Sequence, residues 1–182
     1  MTTDPLRLFD AWFPRERLVQ GLETALATAS REARPSVRIV LLKAADERGF
    51  AFYTSYMSRK GRELEENPHA ALLFHRSGRQ VRVEGRVERV SPDESDAYWA
   101  ARAPASRRSA AASRQSEPID SRAALEAAAA AQPEEPPRPE SWGGYRLVPE
   151  RYEFWEHRDD RLHDRHLFVR DGDAWRVVRL QP

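Results

Sequence analysis

Residues 36–54 read SVRIVLLKAADERGFAFYT, and the architecture follows from them. Two runs rich in β-branched and aromatic residues, Ser36 to Lys43 and Phe50 to Thr54, flank the polar turn Asp46-Glu47-Arg48-Gly49. That pattern predicts two antiparallel strands. Thr24 to Ala29 upstream has the same character and makes the unit a meander. Arg38 and Lys43 bracket the first run five positions apart, a spacing that puts them on opposite faces of a strand. Cations there serve solubility or a ligand, and the strand alone does not choose between the two.

Working outward, Asp4-Pro5 is a helix start ahead of Leu6, Phe9 and Phe13, which share one apolar face, and Pro14 stops that helix. Ser58 reads as the N-cap of a short helix over Arg59 to Glu66, ended by Asn67-Pro68. Strands follow near Ala70 to Phe74 and Gln80 to Val90. Ser91-Pro92 starts a helix in which Tyr98 and Arg102, four apart, share a face. Ala105 to Pro118 is small and polar and reads as a loop, whereas the alanine block capped by Ser121 reads as a helix to Ala131. Gln132 to Pro139 holds four prolines and is expected as an extended connector. Tyr145 to Trp155, Arg161 to Arg170 and Ala174 to Leu180 complete the strands, with Asp171-Gly172 as a hairpin turn. The expectation is one domain over residues 1–182, mainly β with peripheral helices (α+β), with about seven strands closing as a barrel.

Three groups carry chemistry. Arg161-Leu162-His163-Asp164-Arg165, read as strand, puts Arg161, His163 and Arg165 on one face, suited to an anionic ligand with an aromatic ring or to plain solvation. Tyr53-Thr54 with Ser58-Arg59-Lys60 combines hydroxyls, two cations and a helix start, as a phosphate monoester requires, although Ser58 also suffices as a simple cap. Tyr98, Arg102 and Ser106 offer a phenol, a guanidinium and a hydroxyl for a second phosphate, or else form the outer face of an amphipathic helix. Two phosphate-sized groups in a chain with neither a Walker loop nor a GxGxxG fingerprint suggest a phosphorylated cofactor and a phosphorylated substrate.

Composition narrows the classes. Thirty Lys and Arg against 29 Asp and Glu leave a net charge of +1, so any anion site is local and nothing global argues for nucleic acid. The absence of cysteine excludes disulfides, thiolate catalysis and cysteine-ligated metals. No stretch reaches the roughly eighteen apolar residues of a membrane span, and no secretory leader is legible at the start, so the expectation is a cytoplasmic protein that neither enters membranes nor binds nucleic acid.

In order along the chain, RIVLLK (38–43), FYTS and SRKG (52–61), NP with LLF (67–74), RQV (79–81), RQS (114–116), WGGYR (142–146), EFW (153–155) and RLHDR (161–165) resemble the pyridoxamine 5′-phosphate oxidase family of flavoproteins. The resemblance runs from Asp4-Pro5 to the terminal Pro182. It implies an antiparallel, Greek-key-like FMN-binding split β-barrel that works as a homodimer, with sites built from both subunits. By the same resemblance Arg38, Arg59 and Lys60 bind the FMN phosphate region, and Ile39, Val40 and Leu41 belong to the same cofactor strand. Tyr53 and Thr54 line the flavin, while Gln80, Gln115, Ser116, Trp155 and Arg165 complete its site. Lys43, Tyr98, Arg102 and Ser106 take the substrate phosphate, and Arg161 and His163 hold the substrate ring as positional groups.

The implied reaction oxidises pyridoxine or pyridoxamine 5′-phosphate to pyridoxal 5′-phosphate, with dioxygen as acceptor and hydrogen peroxide released. Three departures stand beside it. Only three residues precede Asp4, so the family's arginine-bearing N-terminal arm is expected to be absent or replaced. Ser109-Ala110-Ala111 stands where a Gly-Ala-Trp element is usual, and the loop before Arg79 is short and lacks a tryptophan. With SRKGREL (58–64) these features resemble the branch that oxidises dihydrophenazine intermediates, the alternative substrate class. A flavin-binding module without turnover is the second alternative, and retention of both the phosphate group and Arg161/His163 argues against it.

Overall fold

The computed structural model describes residues 3–14 and 21–182. Strands β1 (Leu22–Ala29), β2 (Pro35–Asp46) and β3 (Gly49–Ser55) form the meander, β1 pairing with β2 from Leu22↔Leu42 to Ala29↔Pro35. Helix α2 (Arg59–Glu66) returns the chain so that β4 (His69–Arg76) lies beside β1, and β5 (Arg79–Arg89) follows as a hairpin. Helices α3 (Pro92–Ala101), α4 (Pro104–Ala112) and α5 (Arg122–Ala130) precede β6 (Trp142–Glu156), β7 (Asp164–Asp171) and β8 (Ala174–Arg179). The strand order is β3-β2-β1-β4-β5-β6-β7-β8, and an added β3–β6 pairing closes the first six into a barrel. Placing β4 beside β1 is the Greek-key step.

Alternation builds the core. Along β5 Val81, Val83, Gly85 and Val87 are buried at period two, so a one-residue slip would turn the apolar set to solvent. Helix α1 (Pro5–Trp12), capped by Asp4, lays Phe9 edge-on to Phe50 and Phe74 at 5.0 and 4.9 Å and so plugs the barrel. The fifteen-residue β6 is the spine: Trp142–Leu147 pairs with β3, Arg151–Glu156 with β7, and β5 accompanies it along most of its length.

Closure is incomplete in one place. β3 meets β2 only from Leu42↔Phe52 to Asp46↔Gly49, with a bulge between Leu42 and Ala44. Among the described residues, the Pro35–Leu41 part of β2 therefore has no partner on its β3 side. Val37, Ile39 and Leu41 of that segment are 69%, 63% and 46% exposed.

The eight strands among the described residues answer to the eight runs read from the sequence, against a total put at about seven. Three details differ from the sequence expectation. Ala105–Ala112 is helical: Pro104 at the first helical position and a run of Ala, Ser and Arg outweigh the loop-like smallness of the segment. Arg102 caps α3 in extended conformation (φ −74°, ψ 148°) and does not continue its face. Arg161, Leu162 and His163 precede β7 and lie outside it. There Asp160 Oδ1 accepts from the Leu162 N–H at 3.0 Å and Arg161 adopts φ 65°, a local turn that displaces the strand. No helix among the described residues is long and apolar enough to cross a membrane.

Candidate functional site

The split between β2 and β3 opens a cavity of about 560 Å³. Arg38, Ile39, Val40, Leu41 and Lys43 of β2 line it with Tyr53 and Thr54 of β3, Arg59 and Lys60 of α2, Tyr98 and Arg102 of α3 and its cap, and Gln115 and Ser116. Arg38 and Lys43 thus meet one cavity despite their odd spacing, because it runs along the unpaired edge of β2.

Its inner corner is cationic. Ser58 caps α2, its Oγ accepting from the Gly61 N–H. The Lys60 ammonium is buried and donates to Thr54 Oγ1, Ser58 Oγ and Gln115 Oε1, each at 3.2 Å, all of them neutral acceptors. Burial, reinforced by the Arg38 charge, lowers Lys60 to about 8. Thr54 Oγ1 in turn donates to Gln115 at 2.9 Å, and the Arg59 N–H donates to Ser116 Oγ at 3.2 Å, so the 115–116 turn is tied to the helix start. Arg38 donates through Nη1 to Leu26 O at 3.1 Å and Thr28 Oγ1 at 2.6 Å, and through Nη2 to Ser36 Oγ and to Glu63 at 3.3 Å.

A buried ammonium hydrogen-bonded, among the described residues, to neutral oxygens beside two guanidinium groups and a helix start suits an anion. The cavity has the size of a cofactor pocket. These residues fit the phosphate end of FMN, and the free edge of β2 offers backbone donors and acceptors to a flat ring.

The outer corner is aromatic and cationic. Tyr53 stacks on Tyr98 with ring centroids 3.9 Å apart, and Tyr98 lies nearly parallel to Trp142 at 6.1 Å. Gly144 makes the Tyr53 position possible, since a Cβ there would lie 2.7 Å from its ring. Burial raises Tyr53 to about 12, so it stays a neutral phenol. The Arg102 guanidinium sits 4.8 Å over the Trp142 ring and donates to Ser106 O at 3.0 Å, while its buried Nε has no hydrogen-bond partner among the described residues. Burial lowers its pKa. Lys43 Nζ is 5.8 Å from the Tyr98 ring centroid. Ser106 lines an adjoining cavity of about 630 Å³ that shares Tyr53, Thr54, Arg102 and Gln115 with the first. Its further wall carries Ala105, Ser109, Ala110 and Ala129.

Gln80, Trp155, Arg161, His163 and Arg165 are elsewhere. Gln80 pairs with Trp155 and Trp155 with Arg165, a row across three strands at the Glu156 end of β6. Thr54 pairs with Gly143 at the other end, twelve residues back, or about 40 Å along an extended strand. The His163 ring lies 4.6 Å from Trp155, and its Nδ1 accepts from the Arg158 N–H at 3.1 Å, so the neutral ring carries its proton on Nε2. Desolvation and the charges of Arg161 and His157 lower its pKa. Arg165 grips the buried Glu153 through Nε and Nη2 at 2.7 and 2.6 Å, and Arg82 takes the other carboxylate oxygen.

Two side chains escaped the sequence reading. Glu63 lies behind Arg38 and Arg59, and Glu153 lies behind Arg165. The i,i+4 spacing of Arg59 and Glu63 was the available signal for the first. Glu153, inside an apolar run, was the signal for the second.

A family profile described as pyridoxamine 5′-phosphate oxidase matches residues 16–133, and one described as pyridoxine 5′-phosphate oxidase C-terminal dimerisation region matches residues 142–182. A pyridoxine/pyridoxamine 5′-phosphate oxidase of Paraburkholderia phymatum is 52% identical over 98% of this chain and 89% of its own. One from Rubrobacter xylanophilus is 54% identical over 98% and 87%. Among solved structures, PhzG from Burkholderia lata 383 in complex with tetrahydrophenazine-1-carboxylic acid superposes with TM-score 0.89 at 34% identity, covering 100% of this chain and 94% of that one. A pyridoxamine 5′-phosphate oxidase-related, FMN-binding protein of Nostoc punctiforme shares the fold at TM-score 0.76 and 22% identity, with both chains fully covered.

Proposed function

The chain belongs to the pyridoxamine 5′-phosphate oxidase family and is an FMN-dependent oxidoreductase, and from that premise we propose that it oxidises pyridoxine or pyridoxamine 5′-phosphate to pyridoxal 5′-phosphate. Dioxygen accepts the electrons and leaves as hydrogen peroxide; the amine substrate also takes up water and releases ammonia. The observation that carries this reading is the second cationic corner, Lys43, Tyr98 and Arg102, in the same cavity as Lys60. One cavity with two anion corners suits a phosphorylated ring beside a phosphorylated cofactor.

When bound, FMN would supply the two-electron redox chemistry between the substrate carbon and dioxygen. The protein positions and manages charge. Arg38, Arg59, Lys60, Thr54, Gln115 and Ser116 would hold the cofactor phosphate, and the β2 edge at Ile39 to Leu41 would meet the ring. Arg102, aimed by Ser106 O and the Trp142 face, takes the substrate phosphate with Lys43 and Tyr98. The Nε2–H of His163 donates to a ring substituent, and Arg161 covers the ring.

Gln80, Trp155, Arg161, His163 and Arg165 reach that cavity from a second copy. The reading of a homodimer rests on the matched dimerisation region, on the separation along β6 and on the exposed Val37, Ile39 and Leu41.

A second reading, oxidation of a reduced phenazine-type heterocycle, draws on the likeness to PhzG and on the small-residue wall of the adjoining cavity. Peroxide release from FMN-loaded enzyme decides: turnover of pyridoxine 5′-phosphate with formation of pyridoxal 5′-phosphate is expected. Inertness toward both vitamin phosphates, with turnover of a dihydrophenazine carboxylate, would reverse the order.

A further inference from the structure

The carboxylate of Glu63 sits inside a cationic corner, where an acidic group works against anion binding unless it does something else. It is buried and accepts from four side chains. Oε2 takes the hydroxyls of Thr28 and Ser36, each at 2.5 Å, and Arg38 Nη2 at 3.3 Å; Oε1 takes Arg59 Nε at 2.9 Å. Burial alone would raise this carboxyl, but the hydrogen bonds from Ser36, Thr28 and Arg59 and the charge of Arg38 outweigh it and hold it at about 2, ionised throughout the working range.

Two consequences follow from the geometry. Among the described residues Glu63 joins Arg59 of the first turn of α2 to Thr28 of β1 and to Ser36 and Arg38 of β2, so it fixes where Arg59 and Arg38 stand relative to Lys60. It also sets the charge. Arg38, Arg59 and Lys60 less Glu63 leave two positive charges, which match a phosphomonoester dianion of about −2.

We infer that Glu63 is a positioning residue of the cofactor site, holding Arg59 and Arg38 in place so that the pocket selects a phosphorylated flavin over its dephosphorylated counterpart. This rests on the reading that the Arg38–Arg59–Lys60 corner takes the FMN phosphate. Glu63 touches the arginines and acts through them.

The test is binding to apoprotein, read by flavin fluorescence with FMN and with riboflavin. In the wild type FMN binds far more tightly than riboflavin. Glu63→Gln is expected to weaken FMN at least ten-fold and to change riboflavin less than two-fold. If the corner acted only through its overall charge, removing a negative group would tighten FMN instead. In an Arg59→Met background, the further loss from Glu63→Gln shrinks to about two-fold, because the residue it orients has gone. Should Glu63→Gln not fold, Ser36→Ala removes one of the donors that fix the carboxylate and is expected to weaken FMN about three-fold with riboflavin unchanged. Unchanged or tighter FMN binding, or equal weakening of both flavins, overturns the inference. A wild type that binds FMN and riboflavin equally overturns the cofactor-site reading itself.

Discussion

The two ends of β6 are built from similar residue types and do different things. At the Trp142 end, β2, β3, α2 and the 115–116 turn converge, and their cations and hydroxyls close on one cavity. At the Glu156 end, Gln80, Trp155 and Arg165 stand in register across three strands, and His163 leans on Trp155 from the preceding turn. The first end is finished inside one chain because its donors lie on a helix start next to the strands it follows. The second has its arginine locked on Glu153 and its imidazole oriented by a backbone N–H, yet stands about twelve strand residues from the cavity it would serve. On the proposed reading the phosphate clamp is local, whereas the groups that cover the flat ring come from a second copy.

The sharpest way to break the pairing of the two ends is to keep the copies apart. Ile39→Glu places a charge on the exposed face of β2 and is expected to give a monomer by light scattering, with turnover down about 100-fold or more, since a buried unpaired charge costs several kcal/mol at an interface. Next come Lys43→Ala and Arg102→Ala, each removing a charge-assisted phosphate contact of roughly 1.5–3 kcal/mol, or about ten- to 150-fold in KM for pyridoxine 5′-phosphate. FMN content should stay at the wild-type level, which keeps the substrate corner distinct from the cofactor corner.

The cofactor corner has its own signature in pH. Lys60 has a pKa of about 8 in the apoprotein, and a phosphate dianion favours its ammonium form, so above pH 8 binding must take up a proton. The FMN dissociation constant is then flat between about pH 7 and 8, where the phosphate is a dianion and Lys60 is charged, and rises by up to about ten-fold per pH unit above that range. Lys60→Arg, which stays charged, should flatten the curve. Smallest is Tyr98→Phe. It removes the phenol proposed to reach the substrate phosphate, a neutral hydrogen bond worth about 1 kcal/mol, for about a five-fold rise in KM with the ring stack intact.

Much of this was legible in the residues. The β2–β3 meander with its Asp46–Gly49 turn, the Ser58 cap of α2 and the Ser91-Pro92 start of α3 stand where local chemistry put them. What local chemistry missed had non-local or competing causes. Helix α4 was hidden because small residues suit loops and helices alike, and its packing partner α5 comes ten residues later. The Arg161–His163 alternation failed to an aspartate turn at Asp160 that competes with strand pairing. Glu63 was invisible because Thr28 and Ser36, its closest donors, arrive from strands 35 and 27 residues away. The placing of the two groups at opposite ends of β6 depends on register, which no single segment carries.

The proposed split of one site between those ends is tested most directly by mixing two crippled enzymes: Lys43→Ala/Arg102→Ala, broken at the cavity end, and Arg161→Ala/His163→Ala, broken at the far end. If each site joins the cavity end of one copy to the far end of the other, subunit exchange gives hybrids with one site wholly intact. Peroxide release should recover to about a quarter of wild type at equal mixing, since half of the dimers are hybrids with one good site of two. No recovery, with hybrids demonstrated by mass spectrometry, would mean that both ends serve a site within one chain and would contradict the account.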